Sequence, residues 1–137
     1  MLARMTEEDW ERITHFRPSE KWGDWRKVAA RLIYCLDLLR TAAGRPIIVH
    51  CAYETEGHTA GSYHYLGMAA DIHIVGLHVV DQFLLASRLP DFGGIGAYPY
   101  WAAPGIHVDI GQPGRRWARD ANGTYVPMNW EFIRSLM

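Results

Sequence analysis

The stretch SYHYLGMAADIHI, residues 62–74, sets two histidines and an aspartate among small and apolar residues where a strand is about to begin. Side chains alternate faces along a strand, so Asp71 and His73 project the same way, with His64 in the loop that leads in. Further on, GIHVDI (residues 105–110) repeats the pattern and puts His107 and Asp109 on one face of another short strand. Two strands and a loop that each offer a ligand-type side chain can converge on one metal ion. Two imidazoles and a carboxylate from such a set suit zinc with a fourth position left open. The competing reading is that these are polar residues caught at a strand edge.

Outward from this stretch, the chain divides into short elements. Thr6 and Asp9 have capping-box spacing, and Trp10 and Ile13 share a helical face, so a short helix is expected there. Residues 25–43 place Trp25, Val28, Leu32, Cys35, Leu36 and Leu39 at helical intervals, with Gly44 positioned to end the helix. PIIVHC (residues 46–51) reads as a buried strand, and the polar loop YETEGHTAGSYHYLG leads into AADIHI. Residues 77–89 read as a helix stopped by Pro90. GGIGAY, GIHVDI and GTYVPM read as short strands, and Asn129 caps a last helix running to Leu136. This order predicts an α+β domain over residues 1–137, a small antiparallel sheet with helices on one side.

With 137 residues the chain is long enough for one core that buries about 70% of the unfolded surface. Apolar residues make up 49% and charged residues 21%, as in a globular protein. Fourteen basic against fifteen acidic side chains leave a net charge of -1 with no basic stripe, which argues against a nucleic-acid partner. No apolar run approaches the ~20 residues of a membrane span, and the first residues lack the apolar segment of a secretory signal. The expectation is synthesis in the cytoplasm, with Cys35 and Cys51 as buried free thiols.

SYHYLGMAAD resembles the S-x-H-x-x-G-x-A-x-D signature of the zinc D-alanyl-D-alanine peptidases, a group that also holds the lysostaphin-type peptidases and the hedgehog signalling domain. Ser62, His64, Gly67, Ala69 and Asp71 match it position by position. His107 to Asp109 resembles the closing motif of the group, and GGIGAYPYWAAPGIHVDIG with RRW resembles the subgroup that has a G-x-G-x-Y-P segment. The likeness runs over residues 38–117. It implies the hedgehog/DD-peptidase-like fold, Zn2+ held by His64, Asp71 and His107, and hydrolysis of amide bonds in peptidoglycan stem peptides or cross-links.

Two positions depart from that pattern. Glu54 stands where many relatives carry an arginine that meets the substrate, and Pro104 stands where many carry an acidic general base. A carboxypeptidase must hold a terminal carboxylate, a task suited to a guanidinium, so endopeptidase activity is favoured. Arg115 or Arg116 is the substitute on offer for that guanidinium, although both read first as solvated surface arginines. Glu54 is the favoured proton acceptor and Asp109 the second candidate, with Glu56 behind them. Ser62 is expected to orient His64, while His50, His58 and His73 are expected to flank the substrate. With no membrane insertion expected, a phage lysis protein that reaches the cell wall by other means fits. The alternative is a zinc-binding module that has lost catalysis and serves in binding or in a virion.

Overall fold

A computed structural model describes residues 2–137. The elements in chain order are α1 (Glu7–Arg12), α2 (Ala30–Ala43), β1 (Ile47–Cys51), β2 (Ala69–Ile74), α3 (Val79–Ala86), β3 (Gly94–Tyr98), β4 (Gly105–Asp109), β5 (Arg115–Arg119), β6 (Tyr125–Pro127) and α4 (Trp130–Ser135). Single 3-10 turns cover Trp25–Lys27 and Tyr63–Leu66. Helices and one sheet segregated in this way make an α+β fold. Among the described residues, no helix is long and apolar enough to cross a membrane.

The sheet has six strands in the order β1-β2-β4-β3-β5-β6. It is mixed, which corrects the expectation of an antiparallel sheet. β3 and β5 run parallel, while the other four pairings are antiparallel. β5 itself escapes a reading of hydrophobic alternation, because Arg115, Arg116, Trp117 and Arg119 give it no apolar stripe.

Alternation elsewhere assigns the two faces. Ala70, Ile72 and Ile74 of β2, Ile95 and Ala97 of β3, and Ile106 and Val108 of β4 are buried in one core cluster with Leu32, Leu36 and Leu39 of α2 and Phe83 of α3. α3 lies against β2, β3 and β4, and α2 packs on α3. Each fully buried leucine or isoleucine here contributes about 1.5–3 kcal/mol of transfer free energy. The opposite face of the same strands carries Asp71, His73, His107 and Asp109. One period-2 pattern therefore builds the core and the candidate site together.

α2 starts five residues later than the periodicity from Trp25 suggests. Val28 and Ala29 are extended because they pair with other segments: Met5 N donates to Val28 O (3.0 Å), Ala29 N to Gly67 O (2.8 Å) and Ala30 N to Ala3 O (2.9 Å). Tertiary hydrogen bonds here override helix periodicity. Gly67, in the signature stretch, has φ of 68°, and a Cβ on it would strike the Lys27 carbonyl. The motif glycine therefore satisfies a left-handed turn and a close approach at once. It seats the loop bearing His64 against residues 27–29.

Candidate metal centre

Ser62 starts the 3-10 turn that carries His64, its hydroxyl accepting from His64 N at 3.2 Å. His64 itself is buried. Its Nδ1 lies 2.7 Å from Ala52 O, and a carbonyl can only accept, so Nδ1 carries the proton. Nε2 is then left with its lone pair, 3.1 Å from Asp71 Oδ1.

Asp71 and His107 are directly paired across β2 and β4. His107 Nδ1 also lies 3.1 Å from Asp71 Oδ1, and its Nε2 lies 2.8 Å from Asp109 Oδ2. Asp109 is fully buried and accepts further from Gly111 N at 2.9 Å and from Arg115. Burial opposes ionisation of Asp109, but the hydrogen bonds from His107 and Arg115 outweigh it and hold the carboxyl below its ordinary range. Asp109 is thus an acceptor, and His107 Nε2 bears the proton. Asp71 follows the same logic: burial opposes its charge, and His107 and His64 more than offset that.

In their neutral forms both imidazoles turn a lone pair toward one carboxylate oxygen, so either a cation or an added proton must hold the arrangement. Burial opposes charge on His107, but its bonds to Asp109 and Asp71 outweigh that and raise its pKa, so in the metal-free chain this ring favours the added proton. The two rings stand with centroids 5.2 Å apart in a largely buried place, where a second charge beside the first is costly. The rings are inclined at 73°, so their in-plane lone pairs can converge. Donor atoms 2.0–2.1 Å from a tetrahedral ion sit about 3.3 Å from one another, close to the two observed separations.

A second set of ligand-type atoms overlaps the first. Cys51, His58, His64 and Asp71 each bring one such atom, all within 4.8 Å of one another, and this group could hold a metal ion. Cys51 Sγ donates to Asp71 Oδ2 at 3.4 Å, so the thiol is half-buried in the site rather than sealed in the core. Burial, with the Asp71 and Glu54 charges, drives its pKa far up and keeps it a thiol. His58 stacks on His64 with centroids 4.0 Å apart and planes only 12° from parallel. Lone pairs that lie in two nearly parallel stacked planes do not meet at one point. His58 is instead held by Glu54, 2.8 Å from Nε2, and by Tyr65, whose hydroxyl accepts from His58 N and donates to His58 O. The His58 bond comes first in lowering the Glu54 pKa, and Glu54 remains partly exposed.

A groove of about 1040 Å³ opens over the cluster. His58, His64, Asp71, His107 and Asp109 line it, together with Tyr98, Trp101, Arg115, Trp117 and Arg119. Glu56 is exposed in the loop above. His50 and His73 pair with each other, Nε2 to Nδ1 at 2.7 Å, farther along the same face, where His73 lines a separate hollow.

No protein-family model matches this chain, and no curated protein matches it either.

Sequence reasoning missed the wall that β5 supplies. Arg115 is not a solvated surface arginine: it is half-buried, bonded to Asp109 and Gln112 O, and lies over Tyr63. Trp117 packs beside His107 with centroids 5.2 Å apart and donates from Nε1 to the Tyr98 hydroxyl. Both side chains reach across β3, and a Cβ at Gly94 would meet Asp109 and Arg115, one at Gly96 the Trp117 indole. The glycines in GGIGAY were the available signal. Alternate glycines on the site face mark a strand that other side chains must cross.

Proposed function

We propose that the chain is a zinc-dependent peptidase with His64, Asp71 and His107 as its metal ligands, cutting amide bonds inside peptidoglycan peptides. The observation that carries the metal assignment is the pair of imidazole nitrogens that face one Asp71 oxygen, while Ala52 O and Asp109 hold the proton of each ring on its other nitrogen. When bound, zinc supplies a Lewis acid for the scissile carbonyl and a water acidified to a pKa of about 7.

The remaining work falls to the chain's own residues. Asp109 orients His107 and is itself clamped by Arg115 and Gly111, too deeply buried to exchange protons with a substrate. Glu54 is the proton acceptor of this scheme. It is ionised and partly exposed, and it is coupled through His58 to the groove. Trp101 and Trp117 exclude water from the flanks and give a peptide apolar surface to lie on. Support for peptidoglycan as substrate comes from the resemblance of residues 62–71 and 107–109 to the D-alanyl-D-alanine peptidases. Glu54 in place of their arginine favours cleavage within a peptide, and a phage lysis role accords with these readings.

The test combines metal analysis with product analysis. Wild type should carry one zinc per chain. His64→Ala and His107→Ala should lose it, and His58→Ala should keep it while hydrolysing far more slowly. Digests of purified peptidoglycan should show new peptide fragments. Zinc retained by His107→Ala and lost by His58→Ala would replace the ligand set with the cysteine-containing group. Zinc bound with no fragments released would leave a binding module without catalysis, the reading that Pro104 and Glu54 favour.

A further inference from the structure

The far end of the groove holds a cation that no part of this scheme uses. Of the three arginines of β5 that line it, two are committed. Arg115 is bound to Asp109 and Gln112 O. Arg116 spends Nη1 on Gly93 O and Arg115 O, and Nη2 on Phe92 O. Arg119 differs. Its Nε donates to Gly123 O at 3.0 Å and its guanidinium lies 5.1 Å over the Tyr125 ring, which fixes the side chain without occupying its two terminal nitrogens. Among the described residues, no carboxylate pairs with it.

Its surroundings are those of an anion site. Tyr125 lines the groove beside it, and the Tyr98 hydroxyl neighbours that of Tyr125. Burial pushes the Tyr98 phenol up to about 12, so it stays a donor, and the hydrogen bond it accepts from Trp117 Nε1 turns its own proton elsewhere. Resting on the peptidase reading above, we infer that Arg119, Tyr125 and Tyr98 form a subsite for a carboxylate of the peptide substrate, set apart from the bond that is cut.

Strand geometry gives the separation. Trp117 and His107 both register with Gly96, two strand spacings apart, and Arg119 lies two residues farther along β5. At about 4.8 Å per strand and 3.3 Å per residue, the two backbones are roughly 12 Å apart. An extended peptide covers that in about three or four residues, and the reach of the arginine shortens it to two or three. The acidic group therefore belongs to a residue well inside the peptide or beyond the bond cleaved, not to a single released amino acid.

The experiment is calorimetric titration of the zinc-loaded protein with paired alanine hexapeptides, one carrying a single Glu and its twin Gln, the position moved along the chain. At one position the Glu peptide should bind about tenfold tighter than its twin, as a two-pronged guanidinium contact provides. Arg119→Gln should bring that ratio to one, and Arg119→Lys should keep part of it. Equal binding of the twins, selectivity that survives Arg119→Gln, or no binding of any peptide overturns the subsite. Hydrolysis is scored separately. Selective binding without cleavage counts against the peptidase reading alone, and cleavage indifferent to the charge counts against the subsite alone.

Discussion

Asp109 acts on the candidate site through the neighbours it holds. Its two oxygens hold His107 Nε2 on one side and Arg115 with Gly111 N on the other, so it fixes both the tautomer and the direction of the His107 ring. Asp109→Asn offers that nitrogen an amide that can turn either way, and zinc affinity should fall 10- to 100-fold, as competition with a chelating dye would measure. The same carboxyl shapes acid stability in the zinc-free protein. It titrates lower in the folded chain than its ordinary 3.8, so the stability it gives is complete above that value and is lost as the pH falls through the folded one. After chelation, thermal melting of wild type should therefore drop steeply below about pH 4, and Asp109→Asn, less stable at neutral pH, should show a shallower fall. That His64, Asp71 and His107 come together was legible at this scale, because ligand-type residues at period-2 spacing are visible in a string of letters. The Arg115 clamp was not, since nothing local to RRW reports a partner six residues back on a different strand.

At the scale of elements, β3 is informative for what it lacks. Gly94 and Gly96 leave its site face bare, and Arg115 and Trp117 lie across it to reach Asp109 and His107. Gly96→Ala should displace the indole and break its bond to Tyr98. We expect at least a tenfold loss of peptide binding with zinc content unchanged, and the shift would show in tryptophan fluorescence. Strands with an apolar stripe, β2, β3 and β4, and helix α2 could be read from periodicity. The start of α2 and the existence of β5 could not. In one case backbone hydrogen bonds from residues 3–5 and Gly67 claim the first turn, and in the other a strand of arginines draws its stability from neighbours instead of its own pattern.

Across the whole molecule, the proposed metal ligands and the groove wall come from different parts of the fold. His64, Asp71 and His107 sit on a turn, β2 and β4, with β1 and β3 on either side. Arg115, Trp117 and Arg119 sit on β5, which pairs in parallel with β3 and whose only other neighbour is the three-residue β6. The chain passes from β4 to β5 through residues 110–114, crossing the end of β3 where Gly93 and Gly111 touch. β5 is thus added beside the β3–β4 hairpin, towards the edge that the short β6 closes. We expect such a strand to open at a lower free energy than β2 and β4. Amide hydrogen exchange should register residues 115–119 as a faster-exchanging unit than 69–74 and 105–109, and added zinc should slow the latter two and leave the first nearly unchanged. On the peptidase proposal, such an architecture separates a wall that can open from ligands that stay in place.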